Sequence, residues 1–267
     1  MRRGSVRFSI VIPTFNRVEY LRLALASALE QADFDDFEVL VSDDCSEDET
    51  WPYLQSVKCP RLITLRNDHR LGMGLNWRKA VESSNGRFIY LLQDDDTVLP
   101  QLLSVSSSLF DRHKGVELLC FASCLIDHAG QNPRIYWRPE HESLLRAPEA
   151  LLQFSNHWTL SSSQVVFSRK IYERDVGFDL TPPIFSDADT ILRWMINADA
   201  ILYPDPLALR RNWPGSVSSK MEGTSAMAET MKFVVKNVMQ HAIASKSLDV
   251  TQLSKLESAL KSTFLSV

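Results

Sequence analysis

The sequence predicts an α/β fold, with a mostly parallel central sheet flanked by helices and a C-terminal helical extension. Three observations predict it. Short apolar segments alternate with segments of helical periodicity in the first half of the chain, which is typical of a parallel sheet covered by helices on both faces. The apolar segments are rich in β-branched residues and end in polar turns. Two helical patterns follow residue 221.

Strands and helices alternate in the first half. Pro13 ends the first strand, because proline cannot donate to the ladder of a central strand. Ser46 and Glu49 have capping-box spacing at the start of the second helix, and Gly86 ends the third. The predicted strands are Phe8–Ile12, Phe37–Ser42, Arg61–Leu65 and Phe88–Leu92, and the predicted helices are Glu19–Glu30, a segment through Leu54 and Val57, Asn76–Ser84 and Leu99–His113.

The second half is less regular. A polar stretch that contains Pro and Arg, residues 127–142, separates two of its strands. Asp249 and Gln252 have capping-box spacing at the start of the last helix. The predicted strands are Val116–Ala122, Gln164–Ser168, Ile201–Tyr203 and Leu207–Leu209, and the predicted helices are Ala147–Phe154, Asp187–Asn197 and two beyond Met221.

Composition and charge limit the class of protein. The 267 residues are 45% hydrophobic and 23% charged, which is ordinary for a soluble globular protein with a sizeable core. The formal net charge of −4 argues against nucleic-acid binding, which needs a basic surface. The sequence predicts neither a transmembrane helix nor a signal peptide. Cys120 and Cys124 are expected to be buried free thiols, which indicates a reducing, cytoplasmic location.

The most informative segment is an apolar strand that ends in three adjacent carboxylates. Residues 88–100 read FIYLLQDDDTVLP, so Asp94, Asp95 and Asp96 follow the predicted strand at once. Neighbouring acids repel one another, and a hard cation such as Mg²⁺ or Mn²⁺ removes that cost. Open α/β sheets bind ligands at the carboxyl ends of their strands. A metal-assisted site for a phosphorylated ligand is therefore expected here; the alternative is a solvated loop that caps the following helix.

Further motifs accompany this acidic run in a fixed order. They are SIVIPTFNR (Ser9–Arg17), EVLVSDDCSEDET (Glu38–Thr50), Asn67 with RLGMGLN (Arg70–Asn76), Gly86–Ile89, FSDADTILR (Phe185–Arg193) and RRNWPGSVS (Arg210–Ser218). In this order the motifs resemble those of the family 2 glycosyltransferases. The resemblance implies the Rossmann-like GT-A fold for residues 1–218. Residues 8–115 would then bind the nucleotide, residues 116–218 the acceptor, and residues 219–267 would form the helical extension.

The resemblance also implies a site for a nucleotide-sugar donor. Its residues would be Pro13, Thr14 and Asn16 near the base and ribose, Asp43 or Asp44 at the imide N–H of the base, Arg70 at the diphosphate and Asp94 at the ribose. Asp95 matches the carboxylate that binds the metal, Mn²⁺ or Mg²⁺. Asp96 either adds a water-mediated metal ligand or starts the next helix.

The residue implied as catalytic base is Asp187. It would take the proton from the acceptor hydroxyl as that hydroxyl attacks the anomeric carbon, in an inverting single displacement. Asp189 is the competing candidate, although an acid in the first turn of a helix is also favoured by the helix dipole. Arg193, at i+4 from Asp189, is a candidate partner for it.

Three residues depart from the pattern of the family. Gln93 stands where the acidic motif often has its first aspartate, and Ser186 stands where an acid usually precedes the catalytic aspartate. Trp213 replaces a histidine that is sometimes linked to the metal or the diphosphate. Two roles are open for Trp213, stacking on a sugar face or packing in the core.

The implied function is inverting, metal-dependent transfer of a sugar from a nucleotide-sugar donor. The expected donor is a UDP-sugar, with dTDP- and GDP-sugars as alternatives. The expected acceptor is a hydroxyl of a saccharide or lipid-linked glycan in cell-surface polysaccharide synthesis, but its region, residues 131–160, has no readable code. Two other functions stay open: a haloacid-dehalogenase-like phosphatase that uses Asp94 and Asp96, and a degenerate glycosyltransferase that only binds nucleotides or partners.

The C-terminal extension carries an apolar stripe at helical spacing. The stripe consists of Met227, Met231, Val234, Val235, Val238 and Ile243. Packing on the main domain is its simplest role. The alternatives are a homodimer seam and contact with a membrane that holds a lipid-linked acceptor, although the polar face has few basic residues for a membrane surface.

Overall fold

The structure is a computed structural model that describes residues 6–156, 161–175, 177–178 and 184–265. Its strands are β1 (Phe8–Thr14), β2 (Phe37–Asp43), β3 (Leu62–Arg66), β4 (Phe88–Leu91), β5 (Thr97–Val98), β6 (Leu118–Phe121), β7 (Ser123–Ile126), β8 (Arg134–Trp137), β9 (Ser143–Leu145), β10 (Val165–Ser168), β11 (Ala200–Tyr203) and β12 (Ala208–Arg211). Its helices are α1 (Val18–Leu29), α2 (Thr50–Ser56), α3 (Met73–Ser83), α4 (Leu102–Arg112), α5 (Glu149–Phe154), α6 (Arg169–Arg174), α7 (Ser186–Trp194), α8 (Val217–Met221), α9 (Ser225–Ser245) and α10 (Val250–Leu265). A 3₁₀ turn spans Ser162–Gln164.

The strands form two sheets. The larger sheet has the order β3-β2-β1-β4-β10-β6-β11-β9. Strands β3, β2, β1 and β4 pair in parallel, whereas β10 runs antiparallel to both of its neighbours. The smaller sheet has the order β5-β12-β7-β8. Three strands of the parallel set β3-β2-β1-β4, namely β2, β1 and β4, end in the polar motifs.

The first half of the chain forms the elements that its periodicity predicts. Every residue of β1, β2 and β4 is buried, because helices cover both faces of the parallel strands. Helix α1 buries its predicted apolar face, which consists of Leu21, Ala24, Leu25 and Ala28. The predicted α/β fold class is confirmed.

The structure also contains elements that the sequence does not predict, namely β5 in the first half and β7, β8, β9, α6 and α8 in the second. The strands among them have two to four residues each. Strand β8 lies inside the polar stretch and is mostly exposed, so it lacks the alternation that marks a half-buried strand. These strands exist because distant partners pair with them, as when β12 pairs with β7, and such pairing leaves no local signal.

The two predicted capping boxes have opposite outcomes. Ser46 does not cap α2, because its hydroxyl accepts the backbone N–H of Asn16 at 2.9 Å. The cap position of α2 is instead Glu49, whose side chain makes no capping bond, while Asp48 accepts the N–H of Thr50, the first residue of the helix, at 3.0 Å. At the start of α10 the predicted box is confirmed. There the Gln252 N–H donates to Asp249 Oδ1 at 2.8 Å, and the Asp249 N–H donates to Gln252 Oε1 at 2.9 Å.

Replacing Asp249 by Ala is expected to lower the free energy of unfolding by about 1 kcal/mol, because the N–H of Gln252 loses its acceptor. Urea denaturation measures the change. Glu229→Ala is the matched control, since Glu229 is an exposed carboxylate inside α9, and it is expected to change stability by less than about 0.5 kcal/mol. Equal losses in both variants would contradict the capping role.

The C-terminal helices share the hydrophobic core of the sheet. Met231, Val234, Val235 and Val238 of the apolar stripe are buried in one cluster with residues of β4 and α7. Leu256, Leu260 and Phe264 of α10 belong to the same cluster, whereas Ile243 is exposed. Most of the stripe is therefore covered within the chain itself, which is the simplest of its three expected roles.

Three other sequence observations bear on the fold. Among the described residues, no helix combines the length and the apolarity that crossing a bilayer requires. Cys120 and Cys124 are buried free thiols, as predicted. His157 and Trp158, which belong to the expected acceptor region, lie outside the described residues.

Candidate active site

Polar side chains meet where three parallel strands end. Strand β1 lies between β2 and β4, and the register places Thr14 beside Asp43. The hydroxyl of Thr14 donates to Asp94 Oδ2 at 2.9 Å, across 80 residues of sequence. The carboxyl ends of β1, β2 and β4 thus form one polar edge, as expected for ligand binding by an open α/β sheet.

The turn after β1 is fixed by reciprocal contacts with the turn after β2. Asn16 has a positive φ of 52°, a conformation that asparagine tolerates better than most residues. Its Oδ1 accepts the N–H of Glu47 at 2.8 Å, and its own N–H donates to the Ser46 hydroxyl. Pro13 and Thr14, within β1, are buried.

The two aspartates at the end of β2 have different surroundings. Asp44 accepts three hydrogen bonds at 2.8 Å, from the Asn67 amide and from the backbone N–H groups of Leu71 and Gly72. Asp44 therefore holds the segment that precedes α3. Asp43 Oδ1 accepts the N–H of Ser46. Its Oδ2 lies 3.5 Å from Arg66 Nε in an ion pair and accepts no hydrogen bond from the described residues, so Asp43 accepts fewer hydrogen bonds than Asp44.

Asp94 and Asp95 share one cation. The Arg17 guanidinium lies 2.9 Å from Asp94 Oδ1 and 3.2 Å from Asp95 Oδ2. The Trp213 indole N–H also donates to Asp95 Oδ2, at 2.9 Å. Burial raises the pKa of Asp94 to about 6, although Arg17 opposes the shift. Arg17 thus offsets the repulsion between the two acids in this structure.

Asp96 has other partners than its two neighbours. Its Oδ2 accepts the Ser163 hydroxyl at 2.5 Å, and its Oδ1 accepts the N–H of Arg211 at 2.8 Å. Burial and the charge of Asp95 raise the pKa of Asp96 to about 7. Both oxygens thus tie the acidic run to the 3₁₀ turn and to β12.

The predicted base, Asp187, lies in the first turn of α7. Its Oδ2 accepts the N–H of Ser162 and its Oδ1 accepts the N–H of Ala188, each at 2.9 Å. Burial raises the pKa of Asp187 above its usual range, whereas the two N–H groups and the charge of Arg210 act in the opposite direction. A carboxylate with a raised pKa suits the role of a general base.

Asp189, the competing candidate, is enclosed in an ion pair. Its side chain is 0% exposed, and Arg193 donates to it at 3.0 Å. The amide of Asn237, from α9, also donates to both of its oxygens. The predicted pair of Asp189 with Arg193 is therefore present, and it joins α7 to the C-terminal extension.

A cavity of about 470 Å³ connects the acidic run with α7. The residues that line it include Arg17, Gln93, Asp95, Ser162, Asp187 and Arg210. Met227 of α9 and Phe264 of α10 line it as well, so the C-terminal extension contributes to its wall. Arg70 is placed elsewhere, with its guanidinium 4.1 Å from the centre of the Phe15 ring.

The sequence reasoning missed Arg17 and Ser162. Arg17 stands inside the first motif, but no local pattern indicates that it reaches two carboxylates that follow 77 and 78 residues later. Ser162 lies in a stretch of three serines that carries no motif. Among the described residues, no three His, Cys, Asp or Glu side chains converge as a metal-binding group.

Comparison with known proteins identifies the family. Residues 9–175, more than half of the chain, match the sequence profile of glycosyl transferase family 2. The chain belongs to this family. The family 2 membership confirms the predicted family and enzyme class, and it excludes the phosphatase alternative.

Two curated relatives of this family 2 chain are named glycosyltransferases. GalNAc(5)-diNAcBac-PP-undecaprenol beta-1,3-glucosyltransferase of Campylobacter jejuni is 32% identical over 46% of this chain and 40% of its own length. Poly(ribitol-phosphate) beta-N-acetylglucosaminyltransferase TarS of Staphylococcus aureus is 26% identical over 73% of this chain and 34% of its own. The chain thus spans less than half of each of these relatives.

Solved structures confirm the GT-A fold of this family 2 member. S. aureus TarS 1-349 in complex with UDP superposes with a TM-score of 0.76 at 19% identity, over 98% of this chain and 72% of that one. Mannosyltransferase PcManGT from Pyrobaculum calidifontis, in complex with GDP-Man and Mn²⁺, has a TM-score of 0.59 at 15% identity, over 99% and 76%. At these identities the likeness concerns the fold alone.

The three departures from the family pattern have definite surroundings. Trp213 donates to Asp95 and lies 4.9 Å from the ring of Tyr20. Gln93 Nε2 donates to the Ser162 hydroxyl at 3.0 Å. The hydroxyl of Ser186 is buried and has no hydrogen-bond partner among the described residues. Trp213 and Gln93 thus replace acidic or basic side chains with neutral donors.

Proposed function

We propose that this chain is an inverting glycosyltransferase that moves a sugar from a UDP-sugar to a hydroxyl of a saccharide or lipid-linked glycan in cell-surface polysaccharide synthesis. The observation that carries the proposal is one cavity lined by both Asp95 and Asp187. Asp95 would lie near the donor diphosphate, and Asp187 is a half-buried acid of the same cavity whose pKa is raised by desolvation. The names of the two curated relatives support the type of acceptor.

The donor nucleotide would occupy the polar edge of the sheet. Pro13, Thr14 and Asn16 would lie near its base and ribose, and Asp94 would contact the ribose. We assign the imide contact to Asp43, because the oxygens of Asp44 already accept three hydrogen bonds. The UDP complex of TarS supports a uracil nucleotide.

Asp95 is the residue that would hold a divalent ion, Mn²⁺ or Mg²⁺. Its side chain is 12% exposed and lines the cavity, and its Oδ1 accepts no hydrogen bond from the described residues. Such ions are often held by one or two carboxylates together with substrate phosphates, so this donor set fits. When bound, the ion would stabilise the leaving nucleoside diphosphate. The Mn²⁺ complex of PcManGT supports this assignment.

Two residues beside Asp95 receive different roles. Arg17 would turn from the acids to the diphosphate when the donor binds, because a guanidinium matches phosphate oxygens in a bidentate manner. Asp96 would act as a brace rather than a ligand, because both of its oxygens accept hydrogen bonds from the protein. This proposed role differs from both expected ones, a water-mediated metal ligand and the start of the next helix, which begins only at Leu102.

Asp187 would accept the proton of the acceptor hydroxyl during attack on the anomeric carbon. The bond from that oxygen to the anomeric carbon forms as the bond to the diphosphate breaks, which inverts the configuration. Asp187 suits this role better than Asp189, because Asp189 already pairs with Arg193 and Asn237. The buried free thiols support the expected cytoplasmic location.

A thermal-shift screen tests the proposed donor. The full chain is mixed with UDP-, dTDP- and GDP-sugars, each with and without Mn²⁺. A ligand that binds the native state at 100 times its Kd stabilises that state by about 2.7 kcal/mol. We expect the largest shift with a UDP-sugar and Mn²⁺ together, followed by release of UDP when saccharide acceptors are added. The proposal fails if no nucleotide sugar shifts the melting temperature.

The rate of transfer is expected to fall at low pH. The base must be deprotonated, and because its pKa is raised, activity is lost as the pH falls through a pKa above the usual value of about 4. Arg210 stabilises the charged form of Asp187, so Arg210→Gln should move this acid limb of kcat/KM to higher pH. Lys236→Gln, on an exposed position of α9, should leave the limb unchanged. A shift to lower pH in Arg210→Gln would contradict the assignment.

A further inference from the structure

Gln93 connects the donor side of the cavity with the proposed base. Its Nε2 donates to the Ser162 hydroxyl at 3.0 Å, and the N–H of the same Ser162 donates to Asp187 Oδ2 at 2.9 Å. Its backbone carbonyl accepts the N–H of Asp96, which closes the turn of the acidic run. Gln93 therefore directly precedes the acidic run and also contacts Ser162, the residue that binds the proposed base.

The 3₁₀ turn depends on these contacts for its position. Ser163 donates to Asp96, and the Tyr90 hydroxyl donates to the Ser163 carbonyl at 3.0 Å. These two bonds attach Ser163 to β4 and the acidic run. The Gln93 amide is the side chain that attaches Ser162, and Ser162 is the residue that reaches Asp187. Ser162 is itself 3% exposed, so water competes little for its hydroxyl.

We propose that Gln93 is a positioning residue for transfer, which orients Asp187 through Ser162 without touching the base. The inference rests on the proposed function, since it assigns Asp187 as the base. An amide suits this position for two reasons. It donates a hydrogen bond, and it adds no negative charge to a cavity that already contains Asp95 and Asp187. Gln93, which stands where the family pattern often has an aspartate, would then serve the part of the site around the proposed base, Asp187.

Gln93→Met removes the donor and keeps the length of the side chain. Because small displacements of a reacting group cost up to about 100-fold in rate, kcat is expected to fall by about 10- to 100-fold. The affinity for UDP with Mn²⁺, measured by calorimetry, should stay within about twofold, because Gln93 makes its contact on the side of Asp187. Gln101→Met is the matched control, since Gln101 is exposed and its side chain does not cap α4, and it should leave both values unchanged.

Gln93→Glu separates geometry from charge. Its carboxylate accepts a hydrogen bond from the Ser162 hydroxyl, so the bridge persists, but the added negative charge disfavours the ionised form of Asp187. The acid limb of the kcat profile should therefore move to higher pH, and kcat should recover at high pH. Gln93→Met should not recover in this way. A merely structural role for Gln93 would predict no such difference in the pH profiles.

A double-mutant cycle with Ser162→Ala completes the test. Ser162→Ala removes the hydroxyl and keeps the N–H that binds Asp187, and it also serves if Gln93→Met does not fold. If the bridge acts as a unit, kcat of the double variant falls no further than kcat of the more impaired single variant. Additive losses, or an unchanged kcat in Gln93→Met, would overturn the inference. If the wild-type enzyme transfers sugar and Gln93→Met has the same kcat, this inference alone is refuted. If the wild-type enzyme transfers no sugar, the proposed function is refuted, and this inference with it.

Discussion

Asp187→Asn is expected to lower kcat by about 10²- to 10⁴-fold, which is the usual contribution of a positioned general base. The variant keeps the size of the side chain and loses the ability to accept a proton. UDP binding with Mn²⁺ should persist, because Asp187 receives its hydrogen bonds from Ser162 and Ala188 on the α7 side of the cavity. Release of UDP in the presence of acceptor gives the rate, and calorimetry gives the affinity.

The comparison with Asp189→Asn makes this test decisive. Asp189 is fully buried between Arg193 and Asn237, so its neutralisation should lower stability by up to about 3 kcal/mol. Its effect on kcat should be small at a temperature where the variant is folded. Replacing Asp187 should therefore change the rate of transfer, whereas replacing Asp189 should change the stability of the fold. If Asp189→Asn lost the rate and Asp187→Asn kept it, the base would have to be reassigned.

The sequence predicts the parallel half of the fold well because its signals are local. Buried parallel strands appear as apolar runs, and the helix that covers them appears as a stripe, as in Leu21, Ala24, Leu25 and Ala28 of α1. Strand β8 has neither signal, because it is an exposed edge of the smaller sheet. Its existence depends on pairing with β7, which no window of its own sequence reveals.

The Ser46 misassignment shows how tertiary contacts override a local rule. Its spacing to Glu49 fits a capping box, but the turn after β1 approaches and supplies the N–H of Asn16. Asp249 and Gln252 meet no such competitor, and there the rule holds. A capping box is therefore most reliable at a terminus that stands apart from other turns.

The sequence identifies the acidic residues of the site but not the arginine and the serine that contact them. Asp95 and Asp187 stand in motifs, so resemblance finds them, and the structure brings both to one cavity. Arg17 reaches the acidic run only because β1 and β4 are adjacent in the sheet. Ser162 contacts Asp187 only after the 3₁₀ turn packs beside α7. Contacts between residues distant in sequence define the surroundings of each acid, and the surroundings distinguish Asp43 from Asp44.

Asp95→Asn is expected to remove the dependence of UDP affinity on Mn²⁺. An amide keeps the shape but loses the negative charge that a hard cation requires. Calorimetric titration of UDP with and without Mn²⁺ should show enhancement in the wild type and none in the variant. Because metal ions commonly contribute several kcal/mol to such reactions, transfer should fall by about 10³-fold.

Trp213→Phe is the matched variant for this experiment. It keeps an aromatic ring beside Tyr20, although a smaller one, and removes the indole N–H that donates to Asp95 Oδ2. If Asp95 is the ligand, freeing that oxygen should preserve or strengthen the response to Mn²⁺, even though the loop after β12 loses its contact with Asp95. Loss of the response in both variants would instead mean that the Trp213 contact shapes the site, and the carboxylate of Asp95 would no longer be its metal ligand.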